Sequence, residues 1–399
     1  MLALTSLPPL ALYIHVPWCV RKCPYCDFNS HKAPSELPEQ DYVDALLKDL
    51  SEQLPQVWGR RLSSIFIGGG TPSLLSGEQM SRLLSNIRAL LPFNHDIEIT
   101  LEANPGTAEA NKFAEFFQAG VNRLSIGIQS FNDEHLKALG RIHSSAEALK
   151  AIEYAHAAGF ERINLDLMHG LPGQSAKQAE QDIQTALQQG TEHLSWYQLT
   201  LEPNTLFYAQ PPQLPQDDTL IDIQEVGEAL LSDGGFERYE VSAYSKTPSA
   251  RSRHNLNYWN FGDYLAIGAG AHGKITLPAD GQIIRYNQYR NPKDYLDSGK
   301  PFTRERLAIV ERELPLEFMM NALRLLLPVP KRFFTERTGL PLEVIRKPLD
   351  HAISKGLVAE SEQTIQVTEV GTNYLNDLLA LFMPDQVKLA EPINIINLS

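Results

Sequence analysis

Short apolar, β-branched runs alternate through the first half of the chain with longer stretches whose apolar residues recur three and four positions apart. The short runs at residues 10–16, 64–67, 96–101, 123–128, 162–168 and 194–201 predict strands. Between them, "DYVDALLKDLSEQL", "GEQMSRLLSNIRALL", "NKFAEFFQAG" and "SAEALKAIEYAHAAGF" predict amphipathic helices, with Gly near several C-terminal ends. Repeated strand–helix units read as right-handed crossovers around a parallel sheet. The expected fold class is therefore α/β, a partial (β/α)6 barrel over residues 1–235.

From residue 236 the pattern changes. "FERYEVSAYS", "HNLNYWNFGDYLAIGAGAHGKI" and "QIIRYNQYR" are rich in aromatic and β-forming residues and lack long helical stretches, so an added, mostly β region is expected over 236–306. Residues 307–399 read as helix, helix, short β pair and helix, the order of a winged-helix-like α/β domain. Its charge is mixed, without the basic face of a DNA reader, which favours packing or partner binding. No fixed-period repeat or low-complexity tract interrupts the chain.

Composition narrows the function. With 43% apolar residues among 399, the chain can bury at least one large core, and its length suggests two or three domains. The formal net charge of −13, without a basic block, makes nucleic acid and anionic lipid poor partners. No apolar run reaches the ~18 to 20 residues of a membrane helix. The start, "MLALTSLPPLALYIHVP", lacks the charged lead and small-residue cleavage site of a signal peptide. Three clustered cysteines argue against a disulfide framework, so the expected compartment is the reducing cytoplasm.

Each of the first five predicted strands ends in a motif: "CVRKCPYC", "GGGTP" (68–72), "EANPG" (102–106), "QSF" (129–131) and "DLMHGLPGQ" (166–174). Turn chemistry accounts for any one of them alone. Ligand sites of α/β barrels are built from the loops that follow the strands, so five motifs on one edge point to one shared site. Residues 268–273 also match G-x-G-x-x-G, but the "KITLPADGQIIRYN" that follows reads as β, not as the helix of a dinucleotide site, and the match is accidental.

Cys19, Cys23 and Cys26 are all the cysteines of the chain, spaced C-x3-C-x2-C on the loop after the first strand. Soft thiolates select zinc, copper(I) or iron–sulfur clusters. Structural zinc needs a fourth ligand, which His15 or His31 would have to supply. A cubane cluster on three cysteines instead leaves one iron open to a substrate or cofactor. Three ordinary buried thiols fit poorly with a Pro-Tyr pair between Cys23 and Cys26 in a loop.

The C-x3-C-x2-C spacing with Tyr25 before its last cysteine resembles the radical S-adenosylmethionine superfamily, and "GGGTP" resembles its methionine-binding motif. The resemblance implies a [4Fe–4S] cluster on Cys19, Cys23 and Cys26. Its open iron would be chelated by S-adenosylmethionine, whose sulfonium accepts an electron from the reduced cluster. Further, "YIHVPWC", "GGGTPSLL", "EANPG", "RLSIGIQSF", "LGRIH", "NLDLMHGLPGQ" and "LSWYQLTLEPNT" follow in order the pattern of the oxygen-independent coproporphyrinogen dehydrogenase family, over nearly the whole chain. Carried over residue by residue, it implies cofactor contacts at Tyr13, Tyr25, Gly69, Gly70, Thr71, Glu102, Gln129, Arg141, Asp166 and Thr200.

Two departures separate the chain from the dehydrogenases. Their pattern is C-x3-C-x2-C-x-C, whereas the last position here is Phe28, and they carry a longer segment before the first strand. Both features are similar to the HemW-type haem chaperones, a sister group whose H-N-x-x-Y-W motif matches "HNLNYW" (254–259). Histidine is a standard axial ligand for haem iron and aromatic rings can cover a porphyrin face, so His254, Tyr258 and Trp259 are candidate haem residues, as is His272 in "GAGAHG". A histidine beside aromatics is also a common packing residue. The resemblance implies a cytoplasmic chaperone with exchangeable S-adenosylmethionine that hands haem to haem-requiring acceptor proteins. Radical decarboxylation of coproporphyrinogen is the alternative. A homodimer formed through the cysteine loop or the C-terminal domain is left open.

Overall fold

Six of the apolar runs form strands at the expected places: β1 (Leu10–Val16), β2 (Leu62–Gly69), β3 (Phe93–Ala103), β4 (Arg123–Gln129), β5 (Arg162–His169) and β6 (His193–Gln198). The structure, a computed structural model, describes residues 2–106 and 111–384, so the end of the expected C-terminal domain, 385–399, lies outside the described residues. β1 to β6 pair in sequence order, all parallel. β6 stops at Gln198 rather than at 201: Leu199 donates to the His169 carbonyl and the chain then turns through Asn204, whose φ is 67°.

The later aromatic segment supplies β7 (Glu237–Glu240), β8 (Ala243–Ser245), β9 (Asp263–Ile267), β10 (His272–Leu277), β11 (Gln282–Gln288) and β12 (Thr303–Ala308). These strands join the same sheet, whose 12 strands run β12-β11-β10-β9-β1-β2-β3-β4-β5-β6-β8-β7. Fully buried β9 lies parallel to β1, and β10, β11 and β12 return antiparallel from it. Residues 236–306 therefore extend both edges of the sheet, and among the described residues its end strands β12 and β7 do not pair with each other. The stretch after 268 is strand, as its sequence suggested, and not a nucleotide-binding helix.

Alternation explains how the sheet is covered. Outward residues such as Leu12, Ile65, Ile67, Leu101 and Leu165 pack under the helices Glu39–Gln53, Gly77–Leu90, Ser145–Ala157 and Ala176–Leu187 in one large core. Ser144 and Ser175 start two of these helices with capping boxes. Inward positions two apart are polar: Glu98, Thr100 and Glu102 on β3, Ser125 on β4, Asn164 and Asp166 on β5, His193 and Ser195 on β6. They bond to one another, Ser125 Oγ donating to Asp166 Oδ2 at 2.9 Å and Asn164 Nδ2 to Asp166 Oδ1 at 2.8 Å.

A second core gathers the helices Leu314–Ala322, Arg332–Thr338 and Arg346–Ser354 with a sheet of Val329–Pro330, Thr364–Val367 and Val358–Glu360. Leu4, Trp259 and Phe261 insert into it, so the segments that lead into β1 and into β9 are both tied to the C-terminal unit.

Candidate functional site

The cysteine loop leaves the carboxyl end of β1 and folds back on itself. His31 N donates to the Pro17 carbonyl at 2.7 Å and Ala33 N to that of Cys19 at 2.8 Å, while a turn from Cys26 N to the Cys23 carbonyl sets the last two cysteines. All three are free, half-buried thiols. Burial pushes the Cys19 thiol up and raises that of Cys26 to about 11, and metal coordination is what makes thiolates of such groups. No three His, Cys, Asp or Glu side chains among the described residues gather closely enough to ligate a single metal ion. His15 cannot complete such a site: its Nδ1 bonds Tyr13 Oη at 2.8 Å and its Nε2 bonds the Asn29 carbonyl at 2.9 Å.

Arg141 faces the loop from the segment after β4. It reaches Cys23 Sγ at 3.7 Å and donates to Asn104 Oδ1 and the Gly127 carbonyl, both at 2.7 Å, while its Nε is buried with no partner among the described residues. Asn104 in turn donates to Thr71 Oγ1 at 2.9 Å. Cys23, Thr71, Asn104 and Arg141 line one cleft. Soft donors beside an incompletely paired guanidinium fit an anionic thiolate-bound cluster.

The glycine motif closes the other wall. Gly69, at φ 111°, donates its amide to Glu102 Oε2 at 3.0 Å, and a Cβ there would sit 2.5 Å from the His15 ring. Gly70 runs so close to Trp18 that a Cβ would lie 2.6 Å from its carbonyl oxygen. Burial, then the charge of Asp166, pushes the Glu102 carboxyl up to about 8, and burial raises Asp166 as well despite its hydroxyl and amide donors. Gln129 sits at a bulge with φ 69° and accepts from Tyr197 Oη at 2.9 Å. A non-glycine residue held in that region marks stored strain at the site.

The structure therefore brings Tyr13, Tyr25, Gly69, Gly70, Thr71, Glu102, Gln129, Arg141 and Asp166 to one end of the sheet with the cysteines. Thr200 lies exposed beyond β6. Asn104, Asn29, Asn164 and Tyr197 complete the site and were not singled out from the sequence, and His15, weighed there only as a zinc ligand, holds Tyr13 and the Asn29 carbonyl instead. The period-two polar stripe on β4 to β6 is the signal that points to Asn164 and Tyr197.

The "HNLNYW" segment forms the helix Arg253–Trp259, capped by Ser252, with its first amides on the buried Glu98 carboxylate at 3.1 Å. His254 is buried, its Nδ1 is 3.3 Å from Ser64 Oγ, and burial lowers it to about 4. Trp259 packs in the C-terminal core under Arg324, and half-buried Tyr258 stacks near Tyr264 at 4.8 Å. His272 is different: it is exposed at the start of β10, and partial loss of hydration beside the neighbouring segments, then the charge of Arg290, lowers its pKa.

The Radical SAM superfamily pattern matches residues 13–186, and the HemN C-terminal domain pattern matches 310–372. A protein named heme chaperone HemW from Escherichia coli (strain K12) is 52% identical, over 96% of this chain and 100% of that protein. Its namesake from Bacillus subtilis (strain 168) is 35% identical, over 93% and 98%. The solved coproporphyrinogen III oxidase (HemN) from Escherichia coli shares the fold, with a TM-score of 0.78 at 24% identity over 94% of this chain and 90% of that one.

Proposed function

Because the chain belongs to the HemW family of the radical S-adenosylmethionine superfamily, we propose that it binds haem and passes it to haem-requiring acceptor proteins. The observation that carries this reading is the 52% identity to a heme chaperone HemW along 96% of the chain. Phe28 supports it: the position after C-x3-C-x2-C-x carries a half-exposed phenyl ring and offers no fourth sulfur.

In this reading Cys19, Cys23 and Cys26 would hold a [4Fe–4S] cluster, and the residues at the carboxyl end of β1 to β6 would hold exchangeable S-adenosylmethionine. When bound, the cluster supplies a redox-active centre with one iron open to the cofactor's amino and carboxylate groups. The chain's own residues bind and orient. Gly69, Gly70 and Thr71 bring backbone close to the cofactor, and Glu102, Gln129 and Asp166 offer acceptors to its amine and ribose. Arg141 sets a fixed positive charge beside the thiolates, Tyr25 stands within the loop and Tyr13 on β1 beside His15, and Thr200 is the outermost contact. Residues 1–235 would form the cluster and cofactor unit, 236–306 its β extension and 307–399 a partner-facing domain, in a protein of the cytoplasm. Among the described residues no helix is long and apolar enough to cross a membrane.

The test is anaerobic cluster reconstitution of the wild type and Cys23→Ser, followed by haem loading and transfer to apomyoglobin. We expect saturable loading and transfer by the wild type, and loss of the brown cluster absorbance in Cys23→Ser. Full cluster iron in the variant would remove the ligand assignment. Decarboxylation of coproporphyrinogen without haem loading would replace the chaperone reading.

A further inference from the structure

A haem ligand has to be reached from solvent, and the burial of His254 and Trp259 turns attention to the histidines that solvent can reach. Of the 11 histidines, His95, His272 and His351 are exposed with no side-chain hydrogen bond among the described residues. His95 lies near the start of β3, at the sheet edge opposite the cysteines, and His351 lies in the C-terminal helix Arg346–Ser354. His272 opens β10, which is antiparallel to β9, so it stands at the same carboxyl edge as the cysteine loop.

The surroundings of His272 are built. Asn29, between Cys26 and the short strand at His31, donates its Nδ2 to the carbonyls of Ala269 and Arg290, both at 2.9 Å, and His31 Nε2 lies 3.1 Å from that same Arg290 carbonyl. Gly270 N donates to the Tyr289 carbonyl at 2.9 Å, and His272 pairs across the ribbon with Asn287. These bonds clamp the cysteine loop to the β10–β11 ribbon and fix the backbone of Arg290. The Arg290 guanidinium is exposed and makes no ion pair among the described residues. Phe28, beside Asn29, is 41% exposed.

An exposed imidazole and an unpaired guanidinium on the ribbon that Asn29 clamps, with the exposed Phe28 ring next to Asn29 in sequence, match the three parts of haem: its iron, its propionates and its apolar plane. We propose that haem docks where the cysteine loop meets the β10–β11 ribbon, with His272 as axial ligand and Arg290 on a propionate. This rests on the haem-chaperone reading and deepens it by placing the cargo beside the cluster lip, leaving the "HNLNYW" helix as a packed support.

The test is a titration of the cluster-reconstituted protein with ferric haem, followed by Soret difference spectra and EPR, on wild type, His272→Ala, Arg290→Ala, His254→Ala and His351→Ala. We expect at least tenfold weaker binding and a changed Soret and EPR signature in His272→Ala, with the spectrum recovered by added imidazole. Arg290→Ala should weaken binding of haem but not of its dimethyl ester, and His351→Ala should match the wild type. An unchanged affinity and spectrum in His272→Ala would overturn the proposal. Weakening confined to a folded His254→Ala would move haem to the 254–259 helix while sparing the chaperone reading. No saturable binding by the wild type would overturn both.

Discussion

Glu102 sits on the inner face of β3 with Gly69 N 3.0 Å from its carboxylate, and its carboxyl titrates at about 8 because burial and then Asp166 oppose its charge. The ordinary value is 4.5, so the folded chain keeps a proton that the unfolded chain releases. The stability this contributes is fully present below about pH 4.5 and lost as pH rises through about 8. Glu102→Gln holds the neutral form at every pH. In cluster-free protein without cofactor, its melting temperature should fall less than that of the wild type between about pH 5 and 8.5. At the upper end the variant should be the more stable, by on the order of 2 °C. Parallel melting curves across that range would remove the argument. A cationic sulfonium beside Glu102 would favour the carboxylate instead, which gives the same residue two protonation preferences, one without and one with the proposed cofactor.

At the scale of elements, the helix Arg253–Trp259 shows how tertiary placement decides what a motif does. Its N-terminal amides end on Glu98, which also takes Arg162 at 2.7 Å and is fully buried. Burial opposes the Glu98 charge, but Arg123 and Arg162 outweigh it and hold the carboxyl below its usual range. Replacing Glu98 with Ala leaves the buried Arg123 charge, the half-buried Arg162 and the helix start uncompensated together, a loss of roughly 3 to 5 kcal/mol. Urea denaturation should register it as a lower midpoint, and a midpoint within experimental error of the wild type would show the pairing to be idle. The same element marks the limit of sequence reading. β1 to β5 were legible because buried β-branched runs bounded by turn residues have few other uses, and the cysteine and glycine motifs were legible from spacing. The insertion of β9 beside β1 was not, since it joins residues about 250 positions apart that carry no local signal. Nor was the burial of His254, because "HNLNYW" has the same composition whether its rings face a ligand or, like Trp259, a second core.

Across the whole molecule, the question is whether the sheet and the C-terminal unit are separate bodies. Phe261 answers it in structural terms: 1% exposed, with φ 59°, it packs on Phe318 of the C-terminal helix at 5.7 Å while Lys274 of β10 lies 4.2 Å above its ring. Lys274 is anchored in turn to Asp263 of β9 at 3.0 Å, and Asp263 to Arg60 at 2.8 Å, all three buried. One side chain thus couples the second core to the ion pairs at the start of β9, and through β9 to β1, which leads into the cysteine loop. Phe261→Ala should cost about 3 to 5 kcal/mol. Because that ring sits in the second core and carries Lys274 of β10 on its face, hydrogen exchange should accelerate together, by about a hundredfold or more, in the helix Leu314–Ala322 and in β10. Acceleration confined to the helix would mean that the C-terminal unit opens alone and that the cysteine loop is insulated from it. Joint acceleration would mean that a partner gripping the C-terminal unit pulls on the same framework that holds His272 at the lip.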